Sequence, residues 1–64
     1  MANVWTVAHA AACLAIDLTR TVDDLNAWGR EHKELFADME AKDPALAASL
    51  KEYARARRVA LEGA

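Results

Sequence analysis

Hydrophobic residues recur at helical spacing between residues 22 and 42. Four apolar residues and one histidine follow one another in steps of three and four: Leu25, Trp28, His32, Leu35 and Met39. This spacing places their side chains along one face of a helix with 3.6 residues per turn. Charged residues occupy the other faces, so the pattern predicts an amphipathic helix that buries one side.

Both ends of this predicted helix carry recognisable signals. Thr21 can accept a hydrogen bond from the first turn, and Asp24 stands three residues later, as in a weak capping box. At the other end, Asp43 precedes Pro44, and a residue before proline disfavours the α conformation. We therefore expect the helix to stop near residue 42, with Asp43 capping a second helix that begins at Pro44.

The second helix is predicted from residue 44 to about residue 62. The residues of one face, mostly apolar, again follow one another in steps of about one helical turn: Leu46, Leu50, Tyr53, Arg57 and Leu61. Because so few residues separate the two helices, they should pack side by side in opposite directions. The sequence thus predicts an antiparallel helical hairpin of about residues 22–42 and 44–62.

A third helix is predicted at about residues 4–18, where alanine, the best helix former, predominates. This segment is apolar nearly all round, as in helices buried on most sides. Its small-residue stripe consists of Val4, Ala8, Ala11, Ala15 and Leu18. The same line continues into Val22, so one helix from residue 4 to 41 is an alternative. We favour three helices because of the capping chemistry at Thr21.

The short length of the chain indicates that a partner contributes to its stability. A single core in a chain of 64 residues rarely supplies more than about 3–5 kcal/mol without a staple or a partner. One cysteine excludes an internal disulfide, and no cluster resembles a structural zinc site. We therefore expect a single all-α domain, residues 1–64, that forms a homodimeric bundle.

Charge is distributed unevenly around a net value of −2. Residues 21–43 are mainly acidic and residues 44–64 mainly basic, which should help the two hairpin helices to pair. The overall sign does not favour nucleic acid. Three arginines near the C-terminus are nevertheless candidates for phosphate contact: Arg55, Arg57 and Arg58. A DNA-associated regulator is therefore the alternative function.

Candidate chemistry is limited to one polar strip on the first helix. His9, Cys13 and Asp17 stand at positions i, i+4 and i+8, which could suggest a metal site or a Cys–His nucleophile pair. The spacing does not match a known zinc pattern. A chain this short also leaves little room for an oxyanion site beside the Cys–His pair. We predict no cofactor, no metal and no enzymatic activity.

The predicted function is that of a small protein–protein interaction module. The residues expected to bind a partner are Trp5, Ala8, Ala11, Ala15, Trp28 and His32. Tryptophan is enriched among residues that carry binding energy, and small residues let another helix approach closely. The free cysteine, the lack of an evident secretory signal and an apolar run too short for a bilayer predict a cytoplasmic protein with no membrane partner.

The hairpin resembles small helical proteins and helical tails encoded by bacteriophages. The resemblance covers about two-thirds of the chain and rests on capped Thr21-Val22-Asp23-Asp24-Leu25, Trp28, Asp43-Pro44, Leu50, Tyr53, Arg57 and Leu61. It implies a phage accessory protein, such as an inhibitor or regulator of a host protein. It assigns no functional residues.

Overall fold

The computed structural model describes residues 3–63, and this part of the chain contains four α-helices and no strand. The helices are α1 (Val4–Asp17), α2 (Val22–Glu31), α3 (Lys33–Lys42) and α4 (Pro44–Glu62). The all-α prediction is therefore confirmed. Residues 1, 2 and 64 of the predicted domain lie outside the described residues.

Helix α1 is separate from α2, which decides between the two alternatives for residues 4–41. The Asn3 side chain accepts a hydrogen bond from the Trp5 amide at 2.9 Å and caps α1. Four residues then connect α1 to α2. Thr21 has an extended backbone, and its hydroxyl accepts from the Asp24 amide at 3.0 Å. Because Thr21 caps the start of α2, the helix does not run continuously from residue 4 to residue 41.

The single helix expected over residues 22–42 is wrong at His32, which divides it into α2 and α3. His32 has φ −113° and ψ 20°, outside helical geometry. Its ring Nδ1–H donates to the Trp28 carbonyl oxygen at 2.8 Å, and its backbone N–H donates to the same oxygen at 3.1 Å. A side chain that enters the hydrogen-bond ladder in this way is a recognised cause of helix kinks.

The connection between α3 and α4 follows the sequence prediction closely. Asp43 Oδ1 accepts from the Leu46 amide at 3.2 Å, and Pro44 is the first residue of α4. Proline suits this position because its missing N–H would have no partner inside the helix. The chain therefore reverses within one residue.

Helix α4 is the centre of the fold, since it contacts α1, α2 and α3. The buried residues of α4 belong to one core cluster with one or two buried side chains from each of the other helices. The buried core consists of Ala12, Ile16, Leu25, Met39, Ala47 and Leu50. Helical bundle packing thus depends on the apolar side of α4.

Two polar contacts join α4 to the last residue of α1 and to the connection that follows it. The Tyr53 hydroxyl donates to Asp17 Oδ1 at 2.6 Å. Arg57 Nη2 donates to the carbonyl oxygen of Thr19 at 2.5 Å. None of the helices in residues 3–63 combines the length and apolarity needed to cross a bilayer.

Candidate interaction surfaces

Helix α1 exposes a continuous line of hydrophobic side chains. Val4, Val7, Leu14 and Leu18 are between 56% and 75% exposed. Ala11 lies between them and is also exposed. The spacing from Val4 to Leu18 repeats three, four, three, four, which is the spacing of a coiled-coil seam. We call Val4, Val7, Ala11, Leu14 and Leu18 the α1 stripe.

The α1 stripe lies away from the side of α1 that enters the core. Ala12 and Ile16 are buried against the other helices. At about 100° per residue, the stripe occupies an arc of roughly 80° facing elsewhere. Helix α1 therefore has two apolar sides, and among residues 3–63 the other helices bury the side with Ala12 and Ile16 and leave the stripe exposed. These two sides account for the apolar residues that the sequence places nearly all round this helix.

A shallow groove adjoins the stripe on the side of α2 and α3. It has a volume of about 300 Å³ and is lined by Ala8, Ala11, Ala12, Ala15, Trp28, His32 and Leu35. Five of the six residues predicted to bind a partner thus share one surface. The sixth, Trp5, is partly buried and packs against the core. The stripe and this groove meet at Ala11 and together form one apolar surface.

Trp28 forms a rigid wall of the groove. Its ring stacks on His32 with centroids 4.7 Å apart and meets Phe36 edge to face at 5.7 Å. The hydrogen bond from the His32 ring to the Trp28 carbonyl further fixes this arrangement. Aromatic side chains held in this way lose little conformational entropy when a partner binds.

A second, larger groove lies between α4 and the α2–α3 pair. It has a volume of about 570 Å³, and we call it the basic groove. Its apolar floor includes Leu25, Trp28, Phe36 and Ala54. Five of the eight Lys and Arg residues of the chain line it, and no carboxylate does so among the described residues. These cations are Arg30, Lys33, Lys51, Arg55 and Arg58.

The structure divides the three arginines that were candidates for phosphate contact. Arg55 and Arg58 line the basic groove, whereas Arg57 binds the Thr19 carbonyl in the connection between α1 and α2. Arg30 and Lys33 were missed because they belong to the acidic half of the sequence. The available signal was the spacing of Lys51, Arg55 and Arg58 at i, i+4 and i+7, which places three cations on one face of a helix.

The expected charge pairing of the last two helices is limited. Within residues 3–63, one ion pair joins α3 to α4, from Lys51 to Glu40 at 3.1 Å. The pairs Arg55–Glu52 and Arg58–Glu62 lie within α4. All of these side chains are more than half exposed, and such pairs typically contribute about 0–1 kcal/mol. Charge complementarity is therefore a minor cause of helix pairing here.

The polar strip of α1, which consists of His9, Cys13 and Asp17, contains a contact between the first two of these side chains. Cys13 Sγ lies 3.7 Å from His9 Nδ1. Burial raises the pKa of the Cys13 thiol, and the charge of Asp17 raises it further. A nucleophilic cysteine needs a lowered pKa, so the direction of this shift opposes thiol catalysis. Within residues 3–63, no group of three His, Cys, Asp or Glu side chains is placed to hold a metal ion.

The Tyr53–Asp17 contact gives a pH-dependent prediction. Donation of the Tyr53 hydroxyl to Asp17 raises the pKa of Tyr53, and burial and the Asp17 charge add to this shift. Tyr53 is the single tyrosine, so its ionisation can be followed by tyrosinate absorbance. We expect a midpoint above the usual value of about 10 in the native protein. Asp17→Asn should move the midpoint down, whereas Asp23→Asn on α2 should leave it unchanged.

The sign of the linked stability change follows from the raised pKa. The protonated hydroxyl is favoured in the folded state, so its stabilisation is complete below about pH 10. This stabilisation is lost as the pH rises through the raised pKa of Tyr53. A native midpoint equal to that of the urea-unfolded chain would contradict the contact.

The fold and its surfaces define a small all-helical bundle with one apolar and one basic surface. Searches of protein-family models, curated proteins and solved structures find no match to this chain.

Proposed function

We propose that this protein is a small non-enzymatic interaction module that pairs with a second copy of itself and acts by binding another protein. The observation that carries the proposal is the exposed α1 stripe. Removal of its valine and leucine side chains from water would contribute about 1.5–3 kcal/mol for each one fully buried. Such a gain is large beside the stability of a chain this short.

The pattern of the stripe supports a second copy of α1 as its partner. Val4, Ala11 and Leu18 fall on one heptad position, and Val7 and Leu14 on the other. A helix with this repeat packs its seam against an equivalent seam, and the same surface on both subunits satisfies two-fold symmetry. The neighbouring Ala8 and Ala15 would let the two backbones approach closely.

The surface area of the single chain also favours a covering partner. The protein exposes 4535 Å². A compact monomer of 7.0 kDa is expected to expose about 4,000 Å². The excess agrees with the elongated dimensions of 38 × 20 × 16 Å. A dimer through the apolar surface would reduce this excess.

The remaining parts of the proposal rest on Cys13 and on the hairpin. A non-enzymatic role agrees with the raised pKa of the Cys13 thiol. A reduced cysteine suits the cytoplasm, where we place the protein. The role of a regulator or inhibitor of a host protein, as in phage accessory proteins, is proposed from the hairpin resemblance alone.

A DNA-associated regulator is the second candidate. The observation that favours it is the placement of Arg55 and Arg58 in the basic groove. Two observations weigh against it: Arg57 is bound to the Thr19 carbonyl between α1 and α2, and the chain has a net charge of −2. Nucleic-acid binding proteins usually carry a basic face of greater extent.

Light scattering and sedimentation equilibrium test the dimer. We expect the wild-type protein to be dimeric at micromolar concentration and Leu14→Glu to be monomeric, because a charge in the centre of the seam would lose its water without gaining a partner. Leu14 is 64% exposed in the single chain, so circular dichroism should show an unchanged helix content.

Val59→Glu is the matched control. Val59 has the same 64% exposure but lies on α4, outside the stripe. It should leave the dimer intact. A wild-type protein that stays monomeric at high micromolar concentration, or equal effects of both substitutions, would contradict pairing through α1.

A further inference from the structure

We propose that the basic groove is a docking site for an acidic amphipathic helix of a partner protein. The juxtaposition of a hydrophobic floor with five surrounding cations carries this inference. It extends the proposed function by naming a partner class and a second surface. It depends on that function only in that another protein is bound, and it does not require the α1 dimer.

The floor of the groove provides sites for apolar anchors. Leu25 is buried. Trp28, Phe36 and Ala54 are partly buried, so these three side chains still offer surface to a ligand. The edge-to-face contact between Trp28 and Phe36 holds both rings in place. Apolar side chains that recur at i, i+3 or i+4 on a bound helix are the usual anchors in such grooves.

The walls of the groove provide the charge. Arg30 and Lys33 lie on the side of α2 and α3, and Lys51, Arg55 and Arg58 lie on the α4 side. From residue 51 to residue 58, α4 rises by about 10 Å, or two helical turns. Carboxylates spaced by three or four residues along a bound helix would match this series of cations.

The glutamates near the groove leave it positively charged. Glu40, Glu52 and Glu62 pair with Lys51, Arg55 and Arg58, so two positive charges remain in excess. These ion pairs are exposed and individually weak. An incoming carboxylate can therefore replace a glutamate with little loss, while the cations steer its approach.

An acidic protein helix fits the groove better than a nucleic acid does. A nucleic-acid backbone needs many phosphate contacts along an extended basic face. Here the cations surround a concave apolar floor over about two helical turns, and the chain as a whole has a charge of −2. A ligand with both apolar and acidic side chains uses all parts of this surface.

Peptide titration tests the proposal. The probe is a synthetic helical peptide of about 15 residues, long enough to form a helix, with leucine at heptad positions and glutamate beside them. In a Trp5→Phe background Trp28 is the single tryptophan and reports binding by fluorescence. We expect the glutamate peptide to bind about tenfold more tightly than its glutamine counterpart, with an affinity that falls as salt is added.

Matched charge reversals identify the site. Arg55→Glu combined with Arg58→Glu should weaken peptide binding by about tenfold, since both attractions become repulsions. Arg20→Glu combined with Lys42→Glu changes the net charge equally but lies outside the groove, and it should leave the affinity nearly unchanged. All four side chains are exposed, so folding should be preserved in each double variant.

Several results would overturn the proposal. Equal binding of the glutamate and glutamine peptides would exclude charge recognition. Equal losses in the two double variants would show a general field effect without a defined site. Tighter binding of a single-stranded oligonucleotide of the same charge would assign the groove to phosphate instead. Loss of peptide binding in Leu14→Glu would also overturn it, because the groove lies within one chain.

Discussion

Leu50→Ala should unfold most of the protein population. Leu50 is completely buried in the middle of α4, where Ile16 of α1 and Met39 of α3 are equally inaccessible to solvent. Truncation of a buried leucine typically costs about 2–5 kcal/mol, because the apolar contacts are lost and a cavity remains. The core of so small a domain rarely supplies more than about 3–5 kcal/mol in total. A single substitution can therefore remove nearly all of it.

Urea unfolding followed by circular dichroism measures this effect. Val59→Ala on the same helix is the control, because Val59 is 64% exposed and its truncation should change stability by less than about 0.5 kcal/mol. A Leu50→Ala variant as stable as Val59→Ala would show that α4 is not the centre of the core.

Arg57→Ala should destabilise the protein by about 1.5–3 kcal/mol, the usual range for a hydrogen bond made by a charged group. Arg57 Nη2 donates to the Thr19 carbonyl in the link between α1 and α2. Thr19 is itself buried, so its carbonyl would lose a partner that water cannot easily replace. The buried Nε of Arg57 has no hydrogen-bond partner, which places the effect at the lower end of this range.

The neighbouring arginines separate this structural role from a role in binding. Arg55→Ala and Arg58→Ala remove exposed side chains from the basic groove and should change stability by less than about 0.5 kcal/mol. Arg57→Lys keeps one donor and should have an intermediate effect. Equal unfolding midpoints for all three alanine variants would show that the Thr19 contact contributes nothing to the fold.

Much of the helical framework was predictable from local signals. Thr21, Asp43 and Pro44 act on backbone groups one to three residues away, so their effects are contained in short stretches of sequence. The buried residues Leu25, Met39 and Leu50 were likewise on the predicted apolar faces. These features depend on helical periodicity, which a single chain displays directly.

The kink at His32 was not predictable from that periodicity. His32 fits the spacing of the line from Leu25 to Met39, and neither a proline nor a strong capping residue marks this position. The interruption results from the ring hydrogen bond to the Trp28 carbonyl. Such a bond depends on a side-chain conformation that the stack on Trp28 stabilises.

The candidate surfaces show the same division. The apolar character of α1 was evident from the sequence, and five of the six residues predicted to bind a partner line one groove in the structure. The basic groove was not evident, because Arg30 and Lys33 are distant in sequence from Lys51, Arg55 and Arg58. The separation of Arg57 from its neighbours also required the position of Thr19 to be known.

The sequence by itself determined that the protein is helical, where most helices begin and end, and that α1 has more apolar surface than one side of a core requires. Short-range hydrogen bonds and periodic burial cause these features, and both are written in neighbouring residues. Only the tertiary structure decided which side of α1 remains uncovered, where the helix turns at His32, and which cations meet across α4. These depend on how separate helices pack, because packing brings together side chains that lie far apart along the chain.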